Sequence, residues 1–220
     1  MQLPGIITVT PQDTTLIKHI ASMMGESFLE ENWYITWLDA LNKYDITKSR
    51  RLEIMEALFQ DEIEAYAPYE GVYALEDLTA ATSVYLASDL QGKDPEKIEE
   101  SMQTHFLHTV SKKELFHLVK REHEMRNISS FHWAHDLEKD NDFIYFHAWA
   151  VDPQARGKHS LTRLVTPFFE YADAHGLNCY LDCYSDRLQS IYEHLGFELI
   201  DTLTDPAFTV FERRMIRRPH

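Results

Sequence analysis

Apolar residues recur along this chain in two periods, and the changes between them mark its elements. Residues 6–10 form a short β-branched run that predicts a first strand, stopped by Pro11. Asp13 stands where it can cap a helix whose Leu16, Ile20, Met23, Met24 and Phe28 recur at helical spacing. Trp33, Tyr34 and Trp37 follow as a dense aromatic patch. Thr47 is placed to cap the next helix, with Leu52, Met55, Phe59 and Ile63 as its inward stripe. Its acidic residues Glu53, Glu56, Asp61, Glu62 and Glu64 read as a solvated face, and Pro68 closes it. Residues 71–75 and 81–87 then read as two strands joined by an acidic turn, a hairpin.

Residues 91–141 carry a mostly helical pattern. Pro95 suits a first turn, and Ile98, Met102, Phe106, Leu115, Leu118 and Val119 can face a core. Histidine concentrates here. Spacings of three put His105 with His108, and His132 with His135, on shared helix faces. No third ligand is fixed by spacing and no His-Glu-x-x-His pattern occurs, so no metal site is assigned. Residues 143–151 are the strongest strand, apolar enough to be covered on both faces. Strict alternation puts Tyr145, His147, Trp149 and Val151 on one side and Ile144, Phe146, Ala148 and Ala150 on the other. A helix is expected from about Ser160 to the Gly176 stop, with Pro167 bending it or delaying its regular part. A strand at 179–184, a helix at 186–195 ended by Gly196, and strands at 197–200 and 208–215 complete the series.

Composition bounds what such a chain can do. With 220 residues and 44% hydrophobic content it can bury one sizeable core, most simply as a single mixed α/β domain. A formal charge of −15 repels polyphosphate backbones and argues against nucleic-acid binding. Cys179 and Cys183, four apart on one expected strand, cannot bridge each other and are expected as free buried thiols. No run is long and apolar enough to span a membrane and none has a signal-peptide shape, so a cytoplasmic location is expected. Edge strands and apolar helix faces could support a homodimer, but no motif declares one.

The candidate chemistry centres on the join between the strongest strand and the helix after it, Val151-Asp-Pro-Gln-Ala-Arg-Gly-Lys-His-Ser160. Successive amides from 156 to 160 would point into one concavity at a helix N-terminus, where unsatisfied donors and the helix dipole favour phosphate. Arg156 and Lys158 add positive charge. His147 is a second candidate: imidazole titrates near neutrality and could accept a proton, although a lone His on an apolar strand is more often a hydrogen-bonded core residue.

At Gln154, Arg156 and Gly157, preceded by Val151-Asp152-Pro153, the chain resembles the GNAT superfamily of acyl-CoA-dependent N-acetyltransferases, although His159 and Leu161 replace the small residues usual in that motif. Downstream, Ser185 to Phe197, with Tyr192 just before Leu195-Gly196-Phe197, resembles the family's second motif. Thr166 to Cys183 is similar to the branch that includes puromycin-type acetyltransferases of small molecules.

The resemblance implies a single-domain α/β (α+β) GNAT fold. Its mixed sheet of six to seven strands would be flanked by helices, divided as 1–90, a helical insertion at 91–141, and an acetyl-CoA-binding core at 142–220. It implies that Trp149, Ala150, Val151, Gln154, Arg156, Gly157, Lys158, His159, Ser160, Ser185 and Tyr192 bind acetyl-CoA. Ala150 and Val151 would do so through their backbones, on a strand that splays from its neighbour. Tyr192 would protonate the departing thiolate, His147 or water would act as base, and the insertion would wall the acceptor pocket. Trp33, Tyr34 and Trp37 would either hold the acceptor or simply pack the core. The implied activity is acetyl transfer to the primary amine of a small molecule. The alternative is a degenerate GNAT-shaped protein that binds or scaffolds without turnover.

Overall fold

The computed structural model describes residues 1–129, 133–139 and 141–220. Strand β1 (Ile6–Thr8) leads into helices α1 (Thr14–Phe28), α2 (Asn32–Leu38) and α3 (Lys48–Tyr66), and then into strands β2 (Val72–Leu75) and β3 (Ala80–Leu86). Four helices follow, α4 (Pro95–Glu100), α5 (Thr104–Thr109), α6 (Lys112–Met125) and α7 (Trp133–Glu138). The last part alternates: β4 (Phe143–Val151), α8 (Ser160–His175), β5 (Asn178–Cys183), α9 (Asp186–His194), β6 (Glu198–Thr204) and β7 (Phe211–Arg217). The strands form one seven-stranded sheet in the order β1-β2-β3-β4-β5-β7-β6, antiparallel throughout except for the parallel pair β4–β5.

Apolar burial on both faces of this sheet holds the helices in place. On one side Ile20 and Met24 of α1 and Met55, Phe59 and Ile63 of α3 are fully buried against Ala81, Tyr85 and Ala148. Truncating such a residue, Phe59→Ala for example, costs roughly 3–5 kcal/mol. Gly25 lets α1 approach α3 closely, because a Cβ there would come within 3.0–3.3 Å of Glu56. On the other side α8 lays Leu164, Val165, Phe168 and Ala172 on the sheet. The insertion helices join the first core through Ile98, Phe106 and Leu118. Helix α6 begins with a reciprocal cap between Ser111 and Glu114.

Several expectations are corrected here. Asp13 occupies the N-cap position of α1, but its carboxylate accepts from the Thr10 amide and hydroxyl at 2.8 and 2.7 Å rather than from the helix. Helix α8 runs unbroken from Ser160 through Pro167. The amide that proline lacks would have bonded the carbonyl of exposed Arg163, where water can substitute. Val119 is 55% exposed rather than inward. Asp61 and Glu62 are not on a solvated face of α3, being only 3% and 9% exposed.

Strict alternation along β4 also fails. Ser83 pairs with Ala148 but Val84 pairs with Phe146, so His147 is an extra residue, a β-bulge. The bulge reverses the facing of everything after it. Trp149 and Val151 pack on the α8 side with Ile144 and Phe146, while Ala148 and Ala150 join Tyr145 on the α1–α3 side.

Candidate active site

Beyond the bulge, β4 and β5 part. Their ladder ends at Phe146 opposite Leu181, although β4 runs on to Val151 and β5 to Cys183, where it keeps only β7 as a partner. The wedge between them opens a cavity of about 240 Å³. Ala148 and Trp149 line it from β4, Asp182 and Cys183 from β5, and Leu188 and Tyr192 from α9. The first helices and the insertion close it from the other side with Trp33, Tyr34, Trp37, Glu62, Glu99 and Phe106.

The loop after β4 leads from this wall to the start of α8. Pro153–Ala155 form one 3₁₀ turn, capped by the Asp152 carboxylate on the Gln154 amide at 2.7 Å. Gly157 (φ 77°) and His159 (φ 62°) are both left-handed. Only glycine takes that conformation freely, and a Cβ at 157 would meet nothing within 4 Å, so the surface above Gly157 is open. Arg163 is the first α8 amide to find a chain carbonyl, His159 O at 3.0 Å, which leaves the α8 amides before it directed outward from the helix end, whereas the Lys158 amide, expected to face the same concavity, donates to Ala155 O at 3.2 Å. Gln154, Arg156, Lys158 and His159 are exposed around this turn, and Ser160 is buried. Outward amides at a helix end are the arrangement that favours an anion.

Tyr192 stands on the cavity wall with its ring edge-on to Trp149, centroids 5.1 Å apart. Burial, aided by Cys183 and by Glu31, pushes its phenol well above the ordinary range, so it is a neutral O–H donor. Ser185 caps α9 by accepting the Leu188 amide at 3.2 Å. Trp33, Tyr34 and Trp37 line the cavity and also pack one another, with Trp33 and Trp37 stacked at 6.1 Å and Trp37 donating to Leu118 O at 3.2 Å. They therefore serve core and cavity at once.

His147 lies between two carboxylates, with Nδ1 3.3 Å from Glu62 and Nε2 3.0 Å from Glu99, which also accepts the Tyr66 hydroxyl at 2.8 Å. Burial lowers the imidazole pKa, but Glu99 and Glu62 together outweigh it and raise it well above its usual value. The ring is an imidazolium at neutral pH.

The residue that sequence reasoning missed is Glu31. It is the N-cap of α2 and accepts the Trp33 amide at 2.8 Å, while its other oxygen, Oε1, is buried with no hydrogen-bond partner. Burial pushes its pKa up to about 7 against the pull of the Trp33, Tyr34 and Asn32 amides. Asn32, next along, donates to Tyr184 O at 2.7 Å and so pins α2 to the end of β5. Behind the cavity Asp182 is held by Tyr145 and by Trp133 Nε1 at 3.3 Å, and burial raises it to about 6.

Of the histidine pairs weighed as metal ligands, His105 and His108 do not assemble. His105 lies with Asp61 and Glu64, its ring nitrogen 3.1 Å from both Glu64 oxygens, whereas His108 turns to Thr104 O. Both Asp61 oxygens already accept the amides of His105 and Phe106 at the start of α5. His132 lies outside the described residues. Cys179 and Cys183 are both free and buried.

Comparison with known proteins bears on this geometry. The family model for the acetyltransferase (GNAT) family matches residues 84–197, just over half of the chain. No curated protein is matched. Among solved structures, a Corynebacterium glutamicum protein described as histone acetyltransferase HPA2 and related acetyltransferase superposes with a TM-score of 0.60 at 16% identity, covering 100% of this chain and 98% of that one. Arylalkylamine N-acetyltransferase 2 from Aedes aegypti superposes with a TM-score of 0.53 at 13% identity, covering 98% of each chain. A Drosophila melanogaster polyamine N-acetyltransferase superposes at 0.51 with 15% identity, covering 97% of this chain and 98% of that one. Identities this low establish the shared fold and no more.

Proposed function

This chain belongs to the acetyltransferase (GNAT) family, and from that premise we propose that it transfers an acetyl group from acetyl-CoA to the primary amine of a small molecule by direct attack. The observation that carries the reading is the meeting, in one cavity at the β4–β5 wedge, of a carboxyl poised near pH 7 and a neutral phenol, Glu31 and Tyr192. The open loop for a diphosphate begins three residues beyond Trp149.

In this reading the diphosphate lies on the amides around Gly157 to Ser160, with Arg156 and Lys158 beside it. The thioester lies along Ala150 and Val151, whose backbone has lost its β5 partner. The ammonium of the acceptor gives its proton to Glu31, directly or through water. The role expected of His147 passes to Glu31, because an imidazolium clamped by Glu62 and Glu99 has no lone pair to offer. The amine nitrogen attacks the thioester carbon, a C–N bond forms, and the tetrahedral adduct collapses with cleavage of the C–S bond. Tyr192 donates its phenolic proton to the departing thiolate, and the second proton of the former ammonium, shed from the adduct nitrogen through water, restores the phenol. Neither cysteine takes part: burial pushes both thiols up to about 12, far from a nucleophilic thiolate.

The names borne by two structural relatives, an arylalkylamine and a polyamine acetyltransferase, agree with an amine acceptor. Two free cysteines accord with our placing the reaction in the cytoplasm, and among the described residues no helix is long and apolar enough to cross a membrane. The test is calorimetric titration of acetyl-CoA into the wild type and into Gly157→Asp, followed by thiol release with a panel of amines. We expect saturable binding that the carboxylate abolishes, and amine-dependent thiol release. Absence of binding by folded wild type sinks the reading, and binding without release from any amine leaves a ligand-binding protein instead.

A further inference from the structure

We infer that the acceptor carries two cationic groups, as an α,ω-diamine does, its reacting amine at Glu31 and its retained ammonium between Glu99 and Glu122. The inference rests on the acetyltransferase reading above and names the substrate class of that same cavity.

The count of charges leads to it. Six carboxylates line the cavity, Glu31, Asp61, Glu62, Glu99, Glu122 and Asp182, and among the described residues the only basic side chain lining it is His147. Two of the six are accounted for by the fold. Asp61 is spent on the two amides that open α5, at 2.9 and 2.8 Å, and Asp182 on Tyr145 and Trp133. Two more share one described cation: Glu62 and Glu99 flank His147. Glu99 makes both its contact with His147 and its bond from Tyr66 through Oε1. Glu122, exposed at the rim, adds a further carboxyl to the lining.

Glu31 comes from a separate element, the N-cap of α2. It is nine-tenths buried and its Oε1 lacks a hydrogen-bond partner. Tyr34 lines the same cavity, packed edge-on against Trp33 and Trp37. A monoamine neutralised at Glu31 leaves the Glu99–Glu122 end uncompensated. A second ammonium on the same molecule compensates it, with the aromatic lining of Trp33, Tyr34 and Phe106 supplying apolar contact for the methylene spacer.

The test compares 1,4-diaminobutane with 4-amino-1-butanol, which keeps the reacting amine and length but lacks the second charge, and with 2-phenylethylamine. Diamines of three to six methylenes calibrate the span. Initial rates of thiol release are expected to give the best diamine a kcat/KM more than about 30-fold above both monoamines, the size of a lost charge pair in a desolvated site. In Glu122→Gln, a rim change that leaves the core untouched, and in Glu99→Gln, that preference should collapse toward one. Comparable turnover of the monoamines, or a preference that survives both substitutions, overturns the inference while leaving acetyl transfer intact. Calorimetry without acetyl-CoA reads the inference apart from catalysis. Saturable binding of the diamine and not of the amino alcohol upholds it even if no amine is acetylated, and equal or absent binding of both overturns it.

Discussion

Glu31→Gln separates the chemistry from the fold, because the two should respond in opposite directions. The wild-type carboxyl has a pKa of about 7 in the folded protein, against an ordinary value of 4.5. Between those values the folded state holds the proton and the unfolded state does not, so wild-type stability falls as pH rises from 4.5 through 7 and stays reduced above it. The difference of about 2.5 units corresponds to roughly 3 kcal/mol. Glutamine has no charge to bury and keeps an oxygen to accept the Trp33 amide. The variant should therefore match the wild type near pH 4.5 and exceed it by about 2–3 kcal/mol at pH 8, a rise in Tm of roughly 5–10 °C for a chain of this size. Its kcat/KM should fall about 10²- to 10³-fold and lose the rising limb near pH 7 that the wild type shows. Urea unfolding at pH 5, 6, 7 and 8, beside kcat/KM profiles over the same range, reads both effects. A stability difference that does not grow with pH would refute the burial argument, and an unchanged profile would refute the assignment of Glu31 as base.

Three further outcomes follow from the same geometry. Tyr192→Phe should lower kcat about 10- to 100-fold while leaving the acetyl-CoA Kd within a fewfold, because only the hydroxyl is lost and the thiolate is already a fair leaving group; stopped-flow thiol release and calorimetry check the split. His147→Gln should destabilise by about 3–5 kcal/mol by leaving Glu62 and Glu99 facing each other, and chemical denaturation measures it. Since the wild-type imidazole pKa is raised, that stabilisation is complete below about 6.5 and is lost as pH rises through the folded value, so variant and wild type should converge in alkaline buffer. Gly157→Ala should cost about 1 kcal/mol of stability from its positive φ, with a larger relative loss in acetyl-CoA affinity than in Tm, which thermal melts with and without the co-substrate resolve.

Much of the architecture was legible because it depends on local rules. Thr47 does cap α3, accepting the Arg50 amide at 3.1 Å, and Gly196 follows α9 in a left-handed conformation. The order of strands and helices follows from apolar spacing, within two or three residues at most ends. What escaped depends on partners distant in sequence. The bulge at His147 is set by the pairing of β4 with Ser83 and Val84 on β3, and no alternation within β4 announces it. Once it is present, Trp149 faces Tyr192 rather than Tyr145. Glu31 gave no motif, since glutamate is not among the favoured N-cap residues, and its burial depends on Asn32 anchoring α2 to Tyr184, 152 positions away. Glu62 did leave a signal. It stands three residues after Phe59 and seven after Met55, the spacing of the buried stripe, yet its charge assigned it to solvent.

That misreading bears on function as well as on prediction. A carboxylate on the apolar face of α3 is costly unless something compensates it, and here the compensation is itself a buried charge, His147, carried on the one bulged residue of the central strand. The fold does not need this pair: a leucine at 62 and a valine at 147 would satisfy the spacing of α3 and β4 with no ionic cost. Nor does it need a carboxyl at 31, where serine or asparagine caps a helix better. Stability alone therefore explains neither the acids nor their convergence, from five separate elements, on a cavity that no lysine or arginine lines among the described residues. A cationic ligand explains both, because it converts the destabilising field of the free protein into binding energy. On that account a diamine at 100 times its Kd should stabilise the wild type by about 2.7 kcal/mol, and Glu122→Gln should lose most of that gain without losing stability in the absence of diamine.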